Sequence, residues 1–103
     1  MERVVITGLG LVIPNGIGVQ EPWCRLLAAG SAIGPITQFD TTDYQVKVAG
    51  EVRGFVPEQF IDKRKIRELD RFAMLSLAAT KLAFEDGALE LTDEERETTG
   101  AII

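Results

Sequence analysis

The feature that most constrains the fold is an almost unbroken apolar run over Arg3–Ile13, with the sequence RVVITGLGLVI. A strand with one face in water alternates apolar and polar side chains, whereas a strand covered on both faces need not alternate. The run therefore predicts a central β-strand in a sheet that helices cover on both sides. Pro14 and Asn15-Gly16 favour a turn, and they are expected to end this strand.

Two glycines inside the run, Gly8 and Gly10, have two interpretations. A nucleotide-binding fingerprint after a strand requires Gly-x-Gly-x-x-Gly, but position 13 is Ile. The variant Thr-Gly-x-x-x-Gly-x-Gly does not match either, because position 12 is Val. The preferred interpretation is structural: the glycines let another backbone approach the strand closely.

The composition excludes several classes of function. A net charge of −5 over 103 residues argues against nucleic-acid binding, and a single cysteine argues against a disulfide framework and fits a reducing cytoplasm. No apolar run approaches the ~20 residues that span a bilayer, and Glu2 is out of place in a signal peptide. Because histidine is absent, no His-dependent base, triad or metal site can be built within this chain. We expect neither a metal nor a cofactor.

The segment after the first turn predicts a helix over Gln20–Ala29, with Pro22 in its first turn and Gly30 as the glycine that ends it. Its apolar face is expected to pack on the first strand, and it consists of Trp23, Leu26 and Leu27. Cys24 on this helix is either a nucleophile, for which the chain has no activating histidine, or a partly buried structural thiol. The structural thiol is the preferred interpretation.

The middle of the chain is predicted to contain little regular structure. Residues 31–44 carry turn-forming residues and are predicted as loop. A short strand with one wet face is predicted over residues 46–52, where apolar and charged side chains alternate: Val46, Lys47, Val48, Glu51 and Val52. Pro57 is expected to open a brief helix that ends near Ile61.

Two helices follow. Asp62 is the predicted N-cap of a short charged helix over Lys63–Leu69, and Asp70 caps a longer one over Arg71–Asp86, which Gly87 ends. The face of the longer helix that should lie on the sheet carries Phe72, Leu75, Ala79, Leu82 and Ala83.

The end of the chain predicts a return to the sheet. Thr92–Glu95 has the spacing of a capping box, and Thr99–Ile103 begins another apolar strand. Strand, helix, helix and strand form the order of a crossover, so Gly100–Ile103 is predicted to lie parallel to Arg3–Leu11 as its neighbour. The longer helix is too apolar for so short a chain, so residues 1–103 are expected to be an incomplete domain.

A basic cluster stands out in this acidic chain, and it comprises Lys63, Arg64, Lys65, Arg67 and Arg71. Such a cluster can dock a phosphate group or an acidic partner protein. The alternative, favoured for charge runs in general, is a solvated helix face whose charges pair with Glu68 and Asp70. The glutamates at 94, 95 and 97 are interpreted as a solvated helix start.

Five pieces, in this order and spacing, resemble the opening of the β-ketoacyl-[acyl-carrier-protein] synthases, most of all the type II (FabF-like) enzymes of bacterial fatty acid synthesis. They are Arg3–Gly16, Trp23–Gly30, Ile33–Asp40, Ala49–Phe55 and Asp62–Phe72. The chain differs from the usual family sequence at Ile13, Cys24 and Leu69, and these differences bear on the assignment to a subfamily and not on the family. The resemblance implies an α/β chain that forms the N-terminal part of a thiolase-like fold, with a parallel or mixed sheet covered by helices, in a cytoplasmic homodimer.

The resemblance also implies an activity for the complete protein. Such enzymes elongate acyl chains in fatty acid biosynthesis by decarboxylative condensation, and their partner is an acyl carrier protein that bears acyl and malonyl groups. The family's catalytic cysteine, two histidines and lysine lie in later motifs, and Cys24 does not match them. No catalytic, cofactor-binding or metal-binding residue is therefore assigned, and the 103-residue chain alone is expected to be inactive. The alternatives are a nucleotide-binding oxidoreductase fragment and a non-catalytic α/β interaction module.

Overall fold

The computed structural model describes residues 2–102, which form four short strands, four α-helices and one 3₁₀ turn. The strands are β1 (Val12–Ile13), β2 (Gly16–Ile17), β3 (Ile33–Pro35) and β4 (Val48–Gly50). The helices are α1 (Gln20–Leu27), α2 (Lys63–Ile66), α3 (Arg71–Asp86) and α4 (Asp93–Thr98), and the 3₁₀ turn is Pro57–Gln59. The strands form two antiparallel pairs, β1 with β2 and β3 with β4.

The prediction of a long first strand is wrong except at the end of that segment. Only Val12 and Ile13 are in a strand, and they pair with Ile17 and Gly16 across a two-residue turn. Residues 2–11, called the first segment below, have no strand partner among the described residues. A strand needs a ladder of hydrogen bonds with a neighbouring backbone, and the bond from Gly18 N to Leu11 O at 2.8 Å does not extend into one.

The structural role of the glycines is confirmed, because the first segment crosses the backbone of α3 at close range. A Cβ added at Gly8 would overlap the carbonyl oxygen of Ala83, and one added at Gly10 would overlap that of Ala79. From the other side, a Cβ at Gly87 would lie 2.8 Å from the carbonyl oxygen of Thr7. Glycine at these positions therefore lets the two backbones touch.

Two alanines, and not the predicted glycines, have the left-handed backbone that ends α1 and α3. The φ angles are 53° at Ala29 and 46° at Ala88, whereas Gly87 has an ordinary helical φ of −79°. In each case the N–H of the following residue closes the helix: Gly30 N donates to Arg25 O, and Leu89 N to Phe84 O, both at 2.9 Å. These are the bonds of a Schellman motif, which satisfies the last carbonyls of a helix.

Helix starts agree better with prediction. The bounds of α3 are confirmed, and so is the N-cap of α2, where Asp62 Oδ1 accepts a hydrogen bond from Arg64 N at 2.8 Å. The capping box of α4 is confirmed as well, with Thr92 N donating to Glu95 Oε2 at 2.8 Å. Asp70 occupies the N-cap position of α3, but its side chain makes no capping hydrogen bond. The short charged helix ends at Ile66, earlier than predicted.

The predicted apolar faces are only partly covered. On α3, Ala78 is fully buried, whereas Phe72 is 71% exposed, so its predicted place against a sheet is wrong. Leu75, Ala79, Leu82 and Ala83 are half-buried. The apolar face of α1 is also exposed, and Pro22 is the buried residue of that helix. Both corrections have one cause: α1 and α3 have no extended sheet beneath them among the described residues.

The predicted parallel pairing of the chain's end with its beginning is not found for residues 100–102, and Ile103 lies outside the described residues. Residues 99–102 lie beside α3 instead, where they line one cleft together with Gly10, Ala79 and Ala83. The end of the chain and the first segment are therefore close to the same stretch of α3, without a strand ladder between them.

Candidate functional site

The candidate site is an exposed basic surface built on α2. After the 3₁₀ turn, Ile61 is buried and anchors the chain, and the Asp62 cap then starts the helix. Four cationic side chains around this single turn point to solvent, and we call them the basic surface: Lys63, Arg64, Lys65 and Arg67. A helix this short depends on its cap and its anchor, because few intrahelical hydrogen bonds hold it.

The charges of the basic surface have no acidic partner within the described residues. The ion pairs found there within 4 Å are Arg25–Glu21, Arg53–Glu51 and Lys81–Glu85. The predicted pairing of the cluster with Glu68 and Asp70 is therefore wrong, although the solvent exposure of the surface is confirmed. Unpaired cations on one exposed surface attract an anionic partner.

Arg71 does not belong to this surface. Its Nη2 donates a hydrogen bond to the carbonyl oxygen of Val52 at 2.8 Å, and Lys81 Nζ on the same helix donates to the carbonyl oxygen of Gln59 at 3.4 Å. These two cations of α3 hold the chain segment that leads into α2. They therefore position the chain that carries the basic surface.

The burial of the Glu51 carboxylate was not predicted, because the sequence pattern places this residue on the solvent-exposed face of a strand. Glu51 is 9% exposed, and it accepts hydrogen bonds from Thr37 N and Oγ1, both at 2.8 Å, and from Gln38 N at 3.1 Å. The predicted alternation is therefore wrong, since Val46 and Val48 are exposed as well as Lys47. These donors, the Thr37 backbone first, hold the pKa of Glu51 below its usual value. The polar pair Thr37-Gln38 two residues after β3 is the signal that could have identified this contact.

Glu51 borders a polar cleft of about 510 Å³ between β3 and α1. Both arginines that line this cleft are engaged. Arg25 pairs with Glu21 at 2.9 Å, and Arg53 lies 3.8 Å from Glu51 and donates to the carbonyl oxygen of Pro35 at 3.3 Å. The polar groups of the cleft therefore hold the chain together and offer no reactive group.

Cys24 is exposed, so its prediction as a partly buried thiol is wrong. Its Sγ accepts a hydrogen bond from Gln20 Nε2 at 3.6 Å, and an amide cannot serve as an activating base. The glycines of the first segment face the backbone of α3, which leaves no room there for a phosphate. Across residues 2–102, no helix is long and apolar enough to cross a membrane, and no group of acidic or cysteine side chains is arranged to hold a metal ion.

Comparison with known families gives a match over the whole chain. Residues 1–103 match the model of the β-ketoacyl synthase N-terminal domain. The chain is 40% identical over 102 residues to "3-oxoacyl-[acyl-carrier-protein] synthase 2" of Coxiella burnetii, and 41% identical over 102 residues to the protein of that name from Vibrio cholerae. These alignments cover 99% of this chain and 25% of each relative, so the chain spans about a quarter of their length.

A solved structure agrees with these relatives. The ishigamide ketosynthase/chain length factor superposes on this chain with a TM-score of 0.77 and 34% sequence identity. The superposition covers 84% of this chain and 21% of the other. This superposition shows that the chain belongs to the α/β class and that its backbone is similar to that of a ketosynthase.

Proposed function

Because this chain belongs to the β-ketoacyl synthase family, we propose that it is the N-terminal part of a 3-oxoacyl-[acyl-carrier-protein] synthase. The complete enzyme would elongate acyl chains by decarboxylative condensation with malonyl-acyl-carrier protein in fatty acid biosynthesis. The observation that carries this proposal is the identity of about 40% with synthases of that name along 99% of the chain. The residues that react with substrate lie outside residues 1–103 in this proposal, and the chain alone is inactive.

The contribution of this part of the enzyme is to dock the acyl carrier protein. The four cations of the basic surface are exposed and have no ion pair among the described residues, although the chain as a whole has a net charge of −5. A local positive surface on an acidic protein selects an acidic partner and speeds its association. We assign this surface to an acidic face of the carrier protein.

The architecture of the complete protein belongs to the same proposal. In the complete protein, Arg3–Leu11 and Gly100–Ile103 become parallel neighbours in a parallel or mixed sheet of a thiolase-like fold, which works as a cytoplasmic homodimer. The support is in the first segment: Val4 and Ile6 are 94% and 82% exposed, and its backbone has no ladder partner among the described residues. Backbone and apolar groups of this kind are stable when further strands and helices cover them.

The test uses the complete protein with acyl- and malonyl-carrier protein and follows the condensed product. The double variant Arg64→Glu, Arg67→Glu is expected to raise KM for malonyl-carrier protein by roughly tenfold or more, because two attractive charges become repulsive. Its kcat should stay unchanged, since neither residue is in the reaction centre. Lys47→Glu, which reverses one charge just before β4 and away from α2, is the control for a general effect of charge, and it should behave as wild type.

Added salt sharpens this test. Salt screens exposed charges, so KM of the wild type should rise with ionic strength while that of the double variant changes little. Absence of any condensation by the complete protein would contradict the proposed enzyme, and saturable binding of NAD(P) would favour an oxidoreductase. Condensation with an unchanged KM in the double variant would remove the docking role of α2 alone.

A further inference from the structure

The turn between β1 and β2 contains the single asparagine of the chain, Asn15, which Gly16 follows directly. The backbone nitrogen of the residue after an asparagine can attack the side-chain amide, and glycine leaves this nitrogen unshielded because it has no Cβ. An Asn-Gly pair also favours a turn, which is sufficient to explain its presence in the fold. Whether the pair is reactive as well depends on how firmly the turn is held.

The conformation of Gly16 requires glycine at this position. Its φ angle is +146°, which residues with a side chain rarely adopt, and a Cβ there would lie 2.7 Å from Cδ of Glu21. The attacking nitrogen therefore stays unshielded. Asn15 is only half-buried, so that water has access to the residue that would be attacked.

The turn is closed by a short ladder. Ile13 lies opposite Gly16 in a ladder of two residue pairs, which is extended by a hydrogen bond from Gly18 N to Leu11 O at 2.8 Å. A two-stranded hairpin of this size is marginal by itself, and weakly held segments open locally at low free energy. Such an opening releases Gly16 N from its place opposite Ile13 and lets it approach the side chain of Asn15.

The end of α3 carries a related pair, Asp86-Gly87, which is held firmly. Gly87 N donates to the carbonyl oxygen of Ala83 at 3.0 Å, and Asp86 Oδ2 accepts a hydrogen bond from Leu9 N at 2.9 Å. A Cβ at Gly87 would lie 2.8 Å from a carbonyl oxygen of the first segment, which packs on this helix end. Nitrogen and side chain are both fixed here, whereas no side-chain hydrogen bond of Asn15 is found within residues 2–102.

We propose that Asn15 is a site of spontaneous deamidation in the folded protein. Gly16 N attacks Cγ of Asn15, the Cγ–Nδ2 bond breaks, and ammonia leaves with the proton that Gly16 N loses. Water then opens the cyclic imide, which yields aspartate or isoaspartate at position 15. Isoaspartate adds a carbon atom to the main chain, so the short turn cannot keep the register of β1 and β2. Either product also places a new carboxylate near that of Glu21, which adjoins Gly16.

The test follows position 15 in the complete protein, incubated folded and, in parallel, unfolded in urea. Mass spectrometry of peptides measures conversion of the amide to the acid, and a methyltransferase specific for isoaspartate detects that product. Folding should slow the reaction at Asn15 by less than roughly tenfold, because the turn opens at low free energy. Asn15→Gln should remove the signal, since the larger ring that glutamine requires forms much more slowly.

Asp86→Asn is the matched control. It places the same Asn-Gly pair at the end of α3 and keeps a side-chain oxygen that can accept from Leu9 N. In urea the two pairs should react at similar rates, whereas in the folded variant the pair on α3 should react at least roughly tenfold more slowly than Asn15. Should this variant fail to fold, comparison of the folded wild type with the wild type in urea still tests the proposal.

Two outcomes would overturn the proposal. Protection of Asn15 in the folded wild type beyond the stated factor would show that the turn does not open. Equal rates for the two pairs in folded Asp86→Asn would show that the turn has no special part in the reaction. The effect on the fold has its own readout: modified protein should have a lower thermal midpoint than Asn15→Asp, because only isoaspartate changes the main chain. Equal midpoints would contradict that effect.

Discussion

The first segment differs from the unit formed by residues 33–51, which we call the hairpin unit, in how its backbone groups are hydrogen-bonded. In the hairpin unit, β3 pairs with β4 in register from Ile33 opposite Gly50 to Pro35 opposite Val48. Glu51 then closes the unit by accepting three hydrogen bonds from Thr37 and Gln38. The first segment is tied instead to a distant part of the chain, by a hydrogen bond from Leu9 N to Asp86 Oδ2 at 2.9 Å across 77 residues.

The difference shows how two strands that are close in the sequence can satisfy each other's hydrogen-bonding groups. The two strands of the hairpin unit lie within 20 residues of each other, so their closure costs little chain entropy and their polar groups are satisfied inside the unit. The first segment has no such partner close to it in the chain among the described residues. Its apolar side chains are exposed here for that reason, and three predictions test the contrast.

The largest effect is expected for association of the 103-residue chain. Exposed Val and Ile side chains each forgo about 1.5–3 kcal/mol of burial, and unpaired backbone beside them is a template for pairing with another copy. Produced alone, the chain should self-associate, bind an apolar dye and lack a sharp melting transition. Val4→Lys with Ile6→Lys should weaken association at least about tenfold in sedimentation experiments.

Val46→Lys with Val48→Lys is the control for this prediction, because both side chains are exposed but belong to the hairpin unit. Equal weakening of association by the two double variants would show that exposed apolar area matters and backbone pairing does not. A dilute monomer with a sharp two-state melt would contradict the whole contrast.

A smaller effect is expected where the first segment touches α3. Gly10→Ala in the complete protein should lower the free energy of unfolding by about 2–3 kcal/mol, because the added Cβ overlaps the carbonyl oxygen of Ala79 and the two backbones must separate. Urea unfolding of the wild type and of this variant measures the difference, and equal stabilities would show that the contact is not essential.

The smallest effect is expected in the hairpin unit and depends on pH. The pKa of Glu51 is lowered by its hydrogen bonds, so the folded state binds its proton less readily than the unfolded state, where Glu titrates at about 4.3. Its contribution to stability is therefore complete above that value and is lost as pH falls through the lowered folded pKa. Glu51→Gln should flatten this part of the stability profile between about pH 5 and 3. A profile that keeps the wild-type slope would assign the acid sensitivity to other carboxylates.

Much of the local structure was predictable because its causes lie within four or five residues. The bounds of α3, the Asp62 cap and the Thr92–Glu95 capping box depend on hydrogen bonds between near neighbours, and all three are confirmed. The β3 strand was missed because Gly34-Pro35 favours a turn, although proline is tolerated on an edge strand. The exposed basic cluster was also predicted, since charge runs usually face water.

The sequence by itself determined the helix starts, the turn after Ile13 and the family of the chain, because short-range hydrogen bonds and residue patterns encode them. Tertiary structure alone decided that Glu51 is buried, that Arg71 holds the Val52 carbonyl, and that the four cations of the basic surface form no ion pair among the described residues. It also decided that the apolar first segment is not a strand within the described residues. The physical reason is that burial, ion pairing and strand formation are properties of two segments in contact, and an apolar run specifies only one of them.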